Sequence, residues 1–74
     1  MGSPERDAKA VAREVGARLR AARGLTSRRD LAKIARVDRD TILRIEKGEI
    51  VGLMAWARVA HALGLTLRDV LSGK

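Results

Sequence analysis

Ser27-Arg28-Arg29-Asp30-Leu31-Ala32-Lys33-Ile34-Ala35-Arg36-Val37-Asp38-Arg39-Asp40-Thr41-Ile42-Leu43-Arg44-Ile45-Glu46-Lys47-Gly48 carries two short helical patterns separated by a turn. Ser27 has the short hydroxyl side chain that caps a helix start, and Leu31, Ala32 and Ala35 recur at helical spacing behind it. That helix must end before Val37. Asp38 caps the next one, whose Ile42 and Ile45 share an inward face, and Gly48 stops it with Lys47 placing a cation near the negative dipole end. Between them, Arg36-Val37-Asp38 is a tight turn with Val37 as its apolar plug, a connection that sets two helices roughly perpendicular.

Outward from this pair the same periodicity continues. Ala8, Val11, Ala12, Val15, Leu19 and Ala22 fall on one face of a first helix that opens at Pro4 or Asp7 and stops at Gly24. Leu53, Trp56, Val59, Ala60 and Leu63 form the stripe of a fourth helix ending at Gly64. Thr66 to Asp69 reads as a capping box with Asp in the usual Glu position, ahead of Leu67, Val70 and Leu71 on a fifth. The expected architecture is all-α, a compact five-helix bundle in one domain over 1–74. The helical pair occupies about 27–48, and helices four and five, about 52–72, pack on it and carry a dimer contact.

Composition narrows the function. A chain of 74 residues buries only roughly 60% of its unfolded surface, too little for an elaborate enzyme pocket. No Cys and one His, His61, exclude a disulfide framework and a zinc finger and supply no metal set. No phosphate loop, Ser-His-Asp set or paired carboxylates stand in the chain, so no enzyme and no cofactor is expected. Trp56 is the sole aromatic residue, whereas single-strand and RNA readers stack bases on several. The longest apolar run, Leu53 to Ala57, is far short of the roughly 20 residues that span a bilayer, and a cytoplasmic location follows. Met1-Gly2-Ser3 matches a cloning remnant. His61 reads as helix surface, and Met54 and Trp56 as core or interface.

Charge placement says more than total charge. The chain carries 16 Lys and Arg against 9 Asp and Glu, net +7. Arg18, Arg20, Arg23, Arg28, Arg29, Lys33, Arg36, Arg39, Arg44 and Lys47 against Asp30, Asp38, Asp40 and Glu46 put +6 of it between residues 18 and 47. A localised positive field around two crossed helices suits duplex DNA, whose major groove admits one helix while the other lies across the phosphates.

Residues 15–72 resemble the phage-repressor-like (Cro/C1, Xre) helix-turn-helix DNA-binding family. The resemblance rests on Val15-Gly16-Ala17-Arg18-Leu19-Arg20, Gly24-Leu25-Thr26, Leu31-Ala32, Val37-Asp38, Thr41-Ile42, Ile45-Glu46-Lys47-Gly48 and Ala62-Leu63-Gly64 in this order and spacing. It implies a five-helix bundle that binds operator DNA as a dimer. By the same resemblance Arg39, Asp40, Leu43 and Arg44 occupy base-contacting positions, and their chemistry suits guanine O6 and N7, cytosine N4 and a thymine methyl. Asp40 equally fits an acid that stabilises a helix start. Ser27, Arg28, Thr41 and Lys47 take phosphate positions, Arg28 standing where the family often has Gln; Arg29 and Lys33 add to the field. Arg20 and Glu46 take the positions of a structural ion pair between helices one and three. The chain departs from the family at Arg36, where Gly is usual and φ > 0 is required. It departs again after Gly48, where basic residues and Pro are common.

One recognition helix reads only a few base pairs, so two copies on operator half-sites are expected. Helix five and the loop Glu49-Ile50-Val51-Gly52 are the expected self-association surface. The leading reading is a small homodimeric repressor, bacterial nucleoid-associated or phage-encoded, on a palindromic operator. The alternative is an antitoxin or protein-interaction module whose main partner is another protein, such as a toxin, with DNA binding used for autoregulation.

Overall fold

The computed structural model describes residues 3–72, so Met1 and Gly2 of the expected cloning remnant lie outside the described residues. Five helices follow in order: α1 Pro4–Arg23, α2 Arg28–Ala35, α3 Arg39–Glu46, α4 Leu53–Ala62 and α5 Leu67–Ser72. The all-α expectation holds.

Local chemistry explains the boundaries. The Ser3 hydroxyl accepts from the Arg6 amide at 3.1 Å and Pro4 takes the first helical position, where its missing N–H costs nothing. Ser27 caps α2 by accepting from Asp30 N–H at 3.0 Å. Asp38 occupies the cap position of α3, but its side chain makes no capping hydrogen bond. Thr66 and Asp69 form the reciprocal capping box: the Thr66 amide donates to the Asp69 carboxylate at 3.0 Å, and the Asp69 amide to the Thr66 hydroxyl at 3.1 Å. Those hydrogen bonds, from the Thr66 backbone first, hold the Asp69 carboxyl below its ordinary value.

Arg36 takes the left-handed conformation, φ 60° and ψ 45°, with no Gly to relieve it. For a residue with a Cβ this costs roughly 1–2 kcal/mol. It is tolerated because the turn it forms seats Val37 against the core.

That core is built from Ala12, Val15, Leu19, Leu31, Ala32, Ala35, Ile42, Ile45, Trp56, Val59, Ala60 and Val70. Several expected members lie outside it. Ala8 is exposed in the first part of α1, which is about 30 Å long at 1.5 Å per residue, ahead of the first buried residue Ala12; Val11, beside Ala12, is 41% exposed at the edge of the buried face. Ala22 is exposed at the other end of the same helix. Leu53 in the first turn of α4 is 62% exposed, and Leu71 on α5 is 43% exposed. Leu63 and Leu67 pack partly against the core. Trp56 is buried and Met54 is exposed, which separates two residues the sequence had left together.

Gly16 decides how α1 meets α3. A Cβ at this position would run into the carbonyl oxygen of Ile45. At this point the two backbones therefore touch with no side chain between them.

Candidate nucleic-acid interface

With Ile42 and Ile45 inside, α3 turns Arg39, Asp40 and Arg44 to solvent and leaves Leu43 half-buried. A cleft of about 760 Å³ runs between this face and the start of α2, lined by Arg23, Ser27, Arg28, Arg29, Arg39, Asp40 and Leu43. It brings together three of the four expected base readers and two of the four expected phosphate contacts. Arg44, Thr41 and Lys47 stand outside it. Thr41 is half-buried on α3, and Lys47 is exposed just past the end of that helix.

Glu46 organises the floor of this region. Its side chain is 4% exposed, and it binds Arg23 through two contacts, Arg23 Nε to Oε2 at 2.7 Å and Nη2 to Oε1 at 3.1 Å. Arg28 Nε donates to Oε1 at 2.9 Å. Burial on its own would raise the Glu46 pKa; hydrogen bonds from Arg23 and Arg28, and then their charges, outweigh it and hold the carboxyl below its ordinary 4.5. One carboxylate thereby joins the end of α1, the start of α2 and the end of α3.

This corrects the expected pairing of Arg20 with Glu46. Arg20 is exposed and, among the described residues, pairs with no acid. Arg23, three residues on, takes its place because α1 continues to Arg23 and its last turn carries that side chain over Glu46. Gly24 follows immediately with φ 54°, turning the chain so that the Thr26 carbonyl also accepts from Arg23 Nη1 at 2.8 Å. A second arginine of the basic stretch is likewise committed to the fold: Arg18 Nη1 donates to the Val70 carbonyl at 2.6 Å, closing α1 on α5.

The two arginines on Glu46 differ in what they have left to offer. All three nitrogens of Arg23 donate within the protein, and its side chain is 15% exposed. Arg28 gives only Nε to Glu46 and is 39% exposed, so both its Nη groups stay available at the cleft. On α3, Arg44 Nε binds Glu49 Oε1 at 3.2 Å, both side chains about half exposed. The sequence counted Arg23 in the basic stretch and Glu49 in the expected self-association loop, but pointed to neither ion pair. Arg23 belongs to a run of three arginines at the end of α1, and Glu49 lies where the resemblance leads one to expect a base.

A family model for the helix-turn-helix domain matches residues 14–71, most of the chain. The chain belongs to the helix-turn-helix domain family. Membership supports DNA as partner and a regulatory role. Among curated proteins no significant match is found. No described helix of this helix-turn-helix protein is long and apolar enough to cross a membrane. Among the described residues no group of His, Asp or Glu is arranged to hold a metal ion, and His61 is exposed on α4.

Proposed function

We propose that this helix-turn-helix protein is a sequence-specific transcriptional regulator of the cytoplasm, a repressor that binds a palindromic operator as a homodimer with α3 in the major groove. The observation that carries the reading is the shared cleft: Ser27 and Arg28 at the start of α2 border the same space as Arg39, Asp40 and Leu43 of α3. A phosphate held at the first group leaves base edges within reach of the second. Arg39, Asp40, Leu43 and Arg44 read bases; Ser27, Arg28, Thr41 and Lys47 hold phosphates. Ser27 keeps its hydroxyl proton to donate while it caps α2, and the amides behind it add a positive dipole end.

Selection from random duplex DNA tests this directly, run beside a sedimentation measurement of the free protein. The expected result is one enriched, two-fold symmetric motif, bound with an affinity that falls steeply with salt. Absence of any enriched motif refutes specific regulation. Arg28→Ala should weaken all duplexes alike, whereas Arg44→Ala should relax one base position by roughly 1–3 kcal/mol.

A second reading, an antitoxin or interaction module with a protein as main partner, draws support from exposed apolar side chains. Ile34, Leu53 and Met54 are each more than 60% exposed, and Ile50 in the expected contact loop is 50% exposed. A monomer in sedimentation, with operator binding that appears only when a second protein is added, would favour it over self-association.

A further inference from the structure

Three helices of this chain end with the same pair of backbone hydrogen bonds. Past α2, the Val37 amide donates to the Ala32 carbonyl at 3.1 Å and the Arg36 amide to Lys33 at 3.4 Å. Past α4, Leu65 donates to Ala60 at 2.9 Å and Gly64 to His61 at 3.0 Å. Past α3, Glu49 donates to Arg44 and Gly48 to Ile45, both at 3.0 Å. In such a turn the residue beyond the left-handed position folds back on the side chain five positions earlier, and that contact is ordinarily apolar. Val37 and Leu65 follow the rule and pack against the core. At α3 the two side chains so joined are Glu49 and Arg44, and they form an ion pair with Arg44 Nε 3.2 Å from Glu49 Oε1.

The backbone thus delivers the carboxylate to Arg44, through Gly48 at φ 84°. What matters is which nitrogen it takes. Guanine is gripped by two parallel N–H groups directed at O6 and N7, and the end of the guanidinium fork supplies them from its two Nη atoms. A carboxylate on Nε leaves that end open and limits the rotation of a side chain that would otherwise have to be ordered on binding. Its charge acts in the opposite direction on all DNA alike: beside the reading face it repels every phosphate backbone, whatever the sequence.

We propose that Glu49 is a specificity-determining residue: it positions Arg44 through Nε so that the Nη groups read guanine, and its charge penalises duplexes that offer Arg44 no guanine. The proposal rests on the base-reading role given above to Arg44.

Random-duplex selections with the wild type and with Glu49→Gln, followed by affinity measurements on the selected half-site with each base at the Arg44 position, test it. The wild type should prefer guanine there by roughly 10-fold, and replacing it by 7-deazaguanine, which lacks N7, should remove most of the preference. Glu49→Gln should cut the preference to roughly 3-fold or less and bind unrelated duplex more tightly, with a melting temperature close to that of the wild type. A guanine preference unchanged in Glu49→Gln overturns the proposal. So does loss of a cytosine preference at a neighbouring position instead, because the carboxylate would then be reading a base itself. A wild type without any preferred motif would refute the base-reading role and the proposal together, an outcome separable from a motif that Glu49→Gln leaves intact.

Discussion

Two carboxylates three residues apart at the end of α3 make opposite use of the same chemistry. Glu46 is sealed under Arg23 and Arg28 at 4% exposure, whereas Glu49 shares its arginine with solvent at 48%. In the first pair both partners lose most of their water, and removing one strands the other. In the second, water and salt screen the attraction, so the pair adds little to folding and its geometry is free to serve binding. Environment rather than residue type separates an arginine committed to the fold from one left half exposed.

Breaking the inner pair should give the largest effect. Glu46→Ala strands Arg23 and releases Arg28, and should cost about 3 kcal/mol, lowering the melting temperature by on the order of 15 °C. Arg23→Ala should follow it in thermal melts, while Arg20→Ala, at an exposed position, stays within about 0.5 kcal/mol; the reverse ranking would restore the pairing expected from the family resemblance.

Acid reaches the same pair without mutation. Because the Glu46 carboxyl lies below 4.5 in the folded protein, its contribution is fully present above that value and is lost as the pH falls through the folded pKa. Asp69 contributes with the same sign. Urea titrations from neutral to low pH should therefore show an acid-side decline that Glu46→Gln makes shallower. A decline of equal slope in Glu46→Gln would place the acid sensitivity elsewhere.

Two backbone positions sharpen the contrast further. Gly16→Ala forces α3 away from α1 and should cost about 1–3 kcal/mol, disturbing Glu46 and also the turn after α3, because the carbonyl that the new Cβ meets is the one that accepts from the Gly48 amide. Arg36→Gly touches neither pair. It relieves the left-handed strain at the turn and should raise stability by roughly 0.5–1 kcal/mol, the gain being reduced by the freer unfolded chain. The smallest effect belongs to Glu49→Gln, which should change stability by less than about 0.5 kcal/mol; a larger loss would make the outer pair structural too.

Helix positions were legible because they follow from periodicity and caps: the stripes of α2 and α3, the stops at Gly24, Gly48 and Gly64, and the Thr66–Asp69 box all depend on neighbours within one or two turns. The outward set on α3 was legible for the same reason, since Ile42 and Ile45 fix the opposite face. What periodicity cannot supply is how far one helix extends past another. Ala8 satisfies the pattern of α1 yet is exposed one turn before the first buried residue, Ala12, and Val11 is 41% exposed at the edge of the buried face. The Glu46 partner was illegible in a related way: Arg20 and Arg23 sit on successive turns, and only the seating of α1 on α3 decides between them. Glu49 was illegible for a different reason, because a helix-ending turn is normally read for its glycine rather than for the side chain it folds back.

The bare contact at Gly16 has a mechanical meaning for recognition. Most packed helices are separated by side chains that change rotamer and let one element slide by a fraction of an ångström over the other. At Gly16 backbone rests on backbone, and with Arg23 tied to Glu46 at the end of the same contact, α3 has little room to slide along α1. If the proposed function holds, adjustment to an imperfect operator would fall on the exposed arginines and on the duplex itself, whose bendability and groove width depend on base pairs the protein never touches. A stiff reader of the proposed kind would select DNA partly by how readily it yields.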